Sequence, residues 1–185
     1  MEHTVNSKRG VGAFCAVLLS AVASALPVPL QNVNPGLLPV GESSLHWFGI
    51  HVYDIALYND GPDYTTNSTA ALRIRYNLSI KHRRLQETTL EEWQRLGQGT
   101  VEQQDRWISQ LDVLWPDIKS GDSLTALRHQ DGPTQFFFGD RLLGEVSDPA
   151  FGPAFFAIWL DARCRYPKVR DGLLKIARDR RTVKP

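Results

Sequence analysis

Tyr53 and His51 are the residues in this sequence best placed to do chemistry. They lie in Leu45–Tyr58, a run dense in aromatic and β-branched residues that predicts one long strand or a bent strand pair. Alternation puts them on one face with Trp47, Ile55 and Leu57. Phe48, Ile50, Val52, Ala56 and Tyr58 take the other. The uniformly apolar face predicts packed core, whereas an apolar face with polar handles has the composition of a ligand cleft. A Tyr and a His on a half-buried strand serve equally well as satisfied structural residues, and both readings stand. Arg73 and Arg75 alternate with Leu72, Ile74, Tyr76, Leu78 and Ile80, a half-buried strand pattern. They face solvent unless their polar face adjoins the cleft, in which case either supplies a cation. The candidate ligand-binding set is therefore Trp47, His51, Tyr53, Arg73 and Arg75, with Tyr53 as the candidate catalytic donor.

Other constellations are weaker. His46 and His51 are five apart on one strand, which predicts opposite faces and excludes a shared metal. His82 and His129 have no ligand pattern around them. No glycine-rich phosphate cradle, G-x-S-x-G elbow or HExxH occurs. Asp54, among apolar neighbours, has either a raised pKa or a structural hydrogen bond to backbone. Cys164, between Arg163 and Arg165, reads as an inert, partly covered thiol. Phe136–Phe138, Phe155 and Phe156 read as core. Neither metal nor cofactor is expected.

These side chains need an α+β framework. After the strand at Leu72–Ile80 come two helices. The first carries Leu85, Leu90, Trp93 and Leu96, with Thr88 and Glu91 at capping-box spacing, and ends at Gly97. The second puts Trp107, Ile108, Leu111, Leu114 and Trp115 on one face and stops at Pro116. Three short strands follow near Leu124–Arg128, Gln135–Phe138 and Leu142–Val146, joined by turns at Asp131-Gly132 and Gly139-Asp140. Asp148 and Pro149 predict a helix start, and Pro167 opens a last short helix. Antiparallel strands with helices packed against the sheet follow from this order.

Residues 1–25 read as a secretory signal: Lys8 and Arg9, an apolar stretch from Val11 to Val22, then Ala23-Ser24-Ala25. The stretch is short for a bilayer span, so no stable membrane insertion is expected after cleavage, and the location is periplasmic or secreted. Residues 26–44 read as a lead-in, 45–177 as the domain and 178–185 as a basic tail. The chain has 185 residues with 21 Lys+Arg and 20 Asp+Glu. Removing Lys8, Arg9 and Glu2 leaves 19 of each sign, without the basic surplus of a nucleic-acid binder. Two cysteines, one inside the leader, exclude a disulfide scaffold.

The segments Phe48–Tyr58, Phe138–Val146 and Phe155–Asp161, in that order around a helix pair, resemble the exported bacterial branch of the chalcone isomerase-like family, over about Gly41 to Leu174. The resemblance implies an open-faced β-sandwich, a large antiparallel sheet with helices over it and a cleft between. In plant relatives that cleft cyclises chalcones to flavanones or holds fatty acids. Cyclisation needs a cation for the phenolate and donors that polarise the ketone. Tyr53 matches the position of a family Thr, while the family's catalytic Arg has no counterpart, since no Lys or Arg lies between Arg9 and Arg73. The leading expectation is a binding module for a small apolar or aromatic molecule with an anionic or phenolic end, fatty-acid-like or aromatic. The alternatives are an isomerase or intramolecular lyase acting on an enone, and a structural or interaction protein.

Overall fold

Short, turn-punctuated strands joined in sequence favour hairpins over crossovers, and a meander results. The computed structural model describes residues 26–61 and 63–176. Among them, β1 (Leu38–Trp47), β2 (Ile50–Asn59), β3 (Ala70–Tyr76), β4 (Ser123–Arg128), β5 (Thr134–Phe138) and β6 (Arg141–Val146) form one antiparallel sheet in consecutive order. Helices α2 (His82–Leu96) and α3 (Val101–Leu114) are inserted between the neighbours β3 and β4, and α4 (Phe151–Leu160) and α5 (Pro167–Leu173) follow the sheet. A short α1 (Val28–Val33) precedes β1. The expected antiparallel sheet with helices packed over it is the observed architecture.

One face of the sheet carries the main core: Ile55, Leu57, Leu72, Ile74, Leu124 and Phe136 meet Trp93, Trp107, Leu111, Phe151 and Phe156 from the helices. The opposite face is covered near the chain start, where Leu30 and Leu37 pack on Tyr58, Ala71, Leu127 and Phe137. At the edge, α5 lies directly on β1. A Cβ on Gly41 would stand 2.4 Å from the Gly172 carbonyl, so the two backbones touch.

The elements differ from expectation in four places. The segment 26–44, read as a lead-in, contains α1 and most of β1, whose Pro and Gly residues lie on a sheet edge where they are tolerated. Leu45–Tyr58 is a hairpin turning at Phe48-Gly49, both at positive φ (47° and 79°), the signature of a type I′ turn. β3 stops at Tyr76, and Ile80 instead bridges Ile118. α4 begins at Phe151, with the Asp148 side chain accepting the Ala150 N–H just ahead of it. Residues 1–25 and 178–185, read as leader and basic tail, lie outside the described residues.

Candidate functional site

Along β2 the alternation of side chains is interrupted. Leu45 pairs with Tyr53 but His46 with His51, so Val52 is an extra, bulged residue. The bulge lets Val52 and Tyr53 both turn toward the helices, and it sends His51 to the opposite side with Asp54.

Between this part of the sheet and the helices lies a cavity of about 670 Å³, within the range of small-molecule sites. Its sheet floor is Leu45, Trp47, Val52, Tyr53, Ile74, Tyr76 and Leu124. Trp115, Phe155, Ile158 and Trp159 close one side, and Leu85, Thr88 and Thr89 of α2 form the other. Polar groups gather at the rim: Lys81, Arg84, Glu91, Glu92, Arg165 and Tyr166.

The α2 wall is fastened at both ends. Its N-cap Lys81 has no side chain able to cap, and Asp117 serves instead, accepting the His82 backbone N–H at 3.0 Å and the Lys81 ammonium at 2.7 Å. The Lys81 hydrogen bond first, then those from His82, hold the Asp117 carboxyl well below the usual carboxylate range. At the other end, Trp93 donates to the Ala154 carbonyl and Arg163 to the Leu96 carbonyl.

Inside, Trp159 Nε1–H donates to the Tyr53 hydroxyl at 2.9 Å. Burial pushes the Tyr53 phenol well above its ordinary pKa of 10.0, against the opposing effect of that hydrogen bond, with small upward contributions from Tyr166, Glu92 and Cys164. Tyr53 is therefore neutral at physiological pH, its oxygen engaged by Trp159 and its own proton available for donation. Tyr76, edge-on to Tyr53, is raised by burial in the same way.

Of the five residues singled out from sequence, the structure brings Trp47 and Tyr53 together on the cavity and places His51, Arg73 and Arg75 elsewhere. His51 contacts Asp54 Oδ1 at 2.7 Å and stacks on His46 with ring centroids 4.5 Å apart. His46 and His51 thus share a face, contrary to the count along a single strand, because the hairpin turn lies between them. Arg73 and Arg75 alternate with the core residues Leu72, Ile74 and Tyr76 and stand on the sheet's outer face, Arg73 near Tyr58 and Arg75 opposite Asp54. They lie outside the cavity lining.

Asp54 is not raised. Burial would raise it, but hydrogen bonds from Ser44, His51 and Asn77 outweigh that and hold it below its ordinary value. Because Ser44 donates to Asp54 rather than to His51, these three residues form no activated nucleophile. Cys164 is buried, and burial raises its thiol above its ordinary value, opposite to the shift an activated thiolate needs. Among the described residues, no group of three or more His, Cys, Asp or Glu is placed to hold a metal, and no helix is long and apolar enough to cross a membrane.

Sequence reasoning missed the rim. Glu92 is 5% exposed at its side chain and is held by Arg95 and Arg165. These residues are three and 73 positions from it, on α2 and beyond α4. The i,i+3 spacing of Glu92 and Arg95 was visible, but nothing local links either to Arg165.

A profile described as chalcone isomerase-like matches residues 45–175. The fold is similar to that of a fatty-acid binding protein of Arabidopsis thaliana, with a TM-score of 0.57 and 11% identity over 75% of this chain and 87% of that one. No curated protein matches the sequence significantly.

Proposed function

The chain belongs to the chalcone isomerase-like family, and from that premise we propose that its cleft binds a small apolar molecule with an anionic or phenolic end, fatty-acid-like or aromatic. The observation that carries this reading is the cavity itself, about 670 Å³ with a mainly aliphatic and aromatic interior and its charged groups at the rim. An apolar cleft flanked by donors suits an amphiphile, whose tail gains by leaving water while its head keeps polar partners. The fatty-acid binding protein of similar fold supports the same ligand class. Organic extraction of the purified full chain followed by mass spectrometry tests it. A recovered fatty acid or aromatic acid at a fixed ratio to protein is the expected result. A protein that comes off empty and shows no saturable binding of laurate overturns it and leaves a structural or interaction role.

Tyr53 favours one alternative, an isomerase or intramolecular lyase acting on an enone, since a neutral buried phenol can polarise a ketone. β1, which precedes it, supplies no Lys or Arg for a phenolate. On this alternative the protein accelerates loss of chalcone absorbance and Tyr53→Phe slows that loss by about tenfold or more. An unchanged rate removes Tyr53 from the chemistry.

The proposal includes export in the manner of the family's exported bacterial branch. The basic n-region, the apolar stretch and the small-x-small site within residues 1–25 support it. N-terminal sequencing of the protein secreted by its native host tests it, with a start after Ala25 expected and an intact Met1 overturning cleavage.

A further inference from the structure

Three cations line the cavity, and they differ in how far their charge is already spent. Lys81 is paired with Asp117 at 2.7 Å, and its side chain is 82% exposed, so it contributes little net charge. Arg84 stands between Glu87 and Glu91, at 3.4 and 3.5 Å, and with Arg83 also on Glu87 the two arginines and two glutamates balance. Arg165 is different. Its Nε donates to Glu92 Oε1 at 2.5 Å, and Glu92 also receives both Nε and Nη2 of Arg95. Two guanidinium groups therefore share one buried carboxylate, leaving a cluster of net charge +1 in the cavity wall.

The geometry of Arg165 follows from that pairing. Glu92 occupies Nε, so the two terminal nitrogens of Arg165 meet no other acceptor among the described residues. Those two nitrogens form one edge of the guanidinium that can bind a carboxylate with two parallel hydrogen bonds. Glu92 fixes the direction of the fork through Nε, and Arg95 holds the other oxygen of Glu92. The Tyr53 hydroxyl, whose surroundings include the Glu92 charge, adds a neutral donor from the floor.

We infer that Arg165 is the anchor for the carboxylate end of the cleft's ligand, held in position by Glu92 and assisted by the Tyr53 hydroxyl. This rests on the binding reading above. It adds a polarity: the acid end lies against Arg165 and Tyr166, beyond α4, and the tail runs past Tyr53 and Tyr76 toward Leu78 and Leu85. Glu92 is a positioning residue, and Arg165 touches the ligand.

Laurate and 1-dodecanol share a tail and differ in the charged end, so titrating the full chain with each separates anchoring from burial. Trp115 and Trp159, which line the cavity, provide the fluorescence signal. The wild type is expected to bind laurate about tenfold more tightly than dodecanol. Arg165→Gln is expected to abolish that preference while leaving the dodecanol Kd within about twofold. Arg84→Gln is expected to keep the preference, and Glu92→Gln to reduce it in part, with dodecanol binding unchanged. Arg165→Lys, which keeps the charge but loses the fork, is expected to fall between wild type and Arg165→Gln and decides the matter if Arg165→Gln does not fold. A wild type that binds both probes equally, or an Arg165 variant that keeps the preference, overturns the anchor while the cleft reading stands. A wild type that binds neither overturns the cleft reading and the anchor with it.

Discussion

The layer between sheet and helices is built in two ways. At the Trp107 end it is filled. Trp93, Trp107 and Phe151 meet edge to face at 5.2–5.8 Å, Phe136 joins them, and the Trp107 indole N–H is satisfied by Asp148 at 2.9 Å. The same end is closed by Arg128, only 2% exposed, which donates to the carbonyls of Ser68 and Thr65 and lies over the rings of Tyr64 and Phe156. Gly152 makes room for it, since a Cβ there would come within 2.5 Å of the Arg128 side chain. At the Tyr53 end the residue types are as aromatic, yet Tyr53, Tyr76, Trp115, Phe155 and Trp159 surround space. Aromatic content alone does not distinguish core from cleft. Rings meet edge to face at both ends, and the difference is whether together they fill the layer between sheet and helices or leave part of it open.

The largest effect that separates the two ends is expected from ring removal. Trp107→Ala should cost about 3–5 kcal/mol in denaturant unfolding, because it opens a cavity in packed material. Trp159→Ala should cost less than half as much, since it enlarges space that already exists. Equal losses would mean that the Tyr53 end is closed in solution. Next comes Arg128→Met, expected to cost about 2–3 kcal/mol because the Ser68 and Thr65 carbonyls lose charged donors. Hydrogen exchange should then rise in residues 63–69 and stay unchanged around Tyr53. A smaller effect is expected from filling the hollow end: Leu85→Trp should change stability by less than about 1 kcal/mol, yet abolish laurate binding. The smallest effect lies outside both, at Asp54. Its folded pKa is depressed below 3.8, so its contribution is present above that value and is lost as pH falls from 3.8 toward the folded pKa. Asp54→Asn should therefore lower stability at neutral pH slightly and flatten the decline in acid. A parallel acid limb in wild type and variant would remove Asp54 from the account.

The sequence carried the regular parts of this structure well and the exceptions poorly. Leu72, Ile74 and Tyr76 alternate with arginines, and the core face of β3 follows directly. The Gly97 stop is as expected, with a left-handed φ of 69°. The apolar runs Phe136–Phe137 and Phe155–Phe156 are buried. Counting by twos from Leu57 back to Tyr53 also holds, but one step further the bulge at Val52 breaks it, and His51 changes sides. No residue type marks that bulge. The turn at Phe48-Gly49 was concealed because a bulky aromatic rarely occupies a left-handed position where Asn or Asp is usual. The capping-box spacing of Thr88 and Glu91 lies in mid-helix. The capping box is at Thr100 and Gln103, while α2 begins under an aspartate 35 positions away. The candidate site was half visible for a similar reason. Its floor is one strand, whose spacing can be read, whereas its cationic rim comes from α2 and the loop after α4, joined only by folding.

The double fastening of α2 limits what can enter. With Asp117 holding one end and Trp93 and Arg163 the other, the helix is tied to its neighbours at both ends, and these contacts set the span it bounds. For a straight-chain occupant the protein then acts as a ruler, so affinity should rise with each added methylene until the tail meets a wall and should fall beyond it.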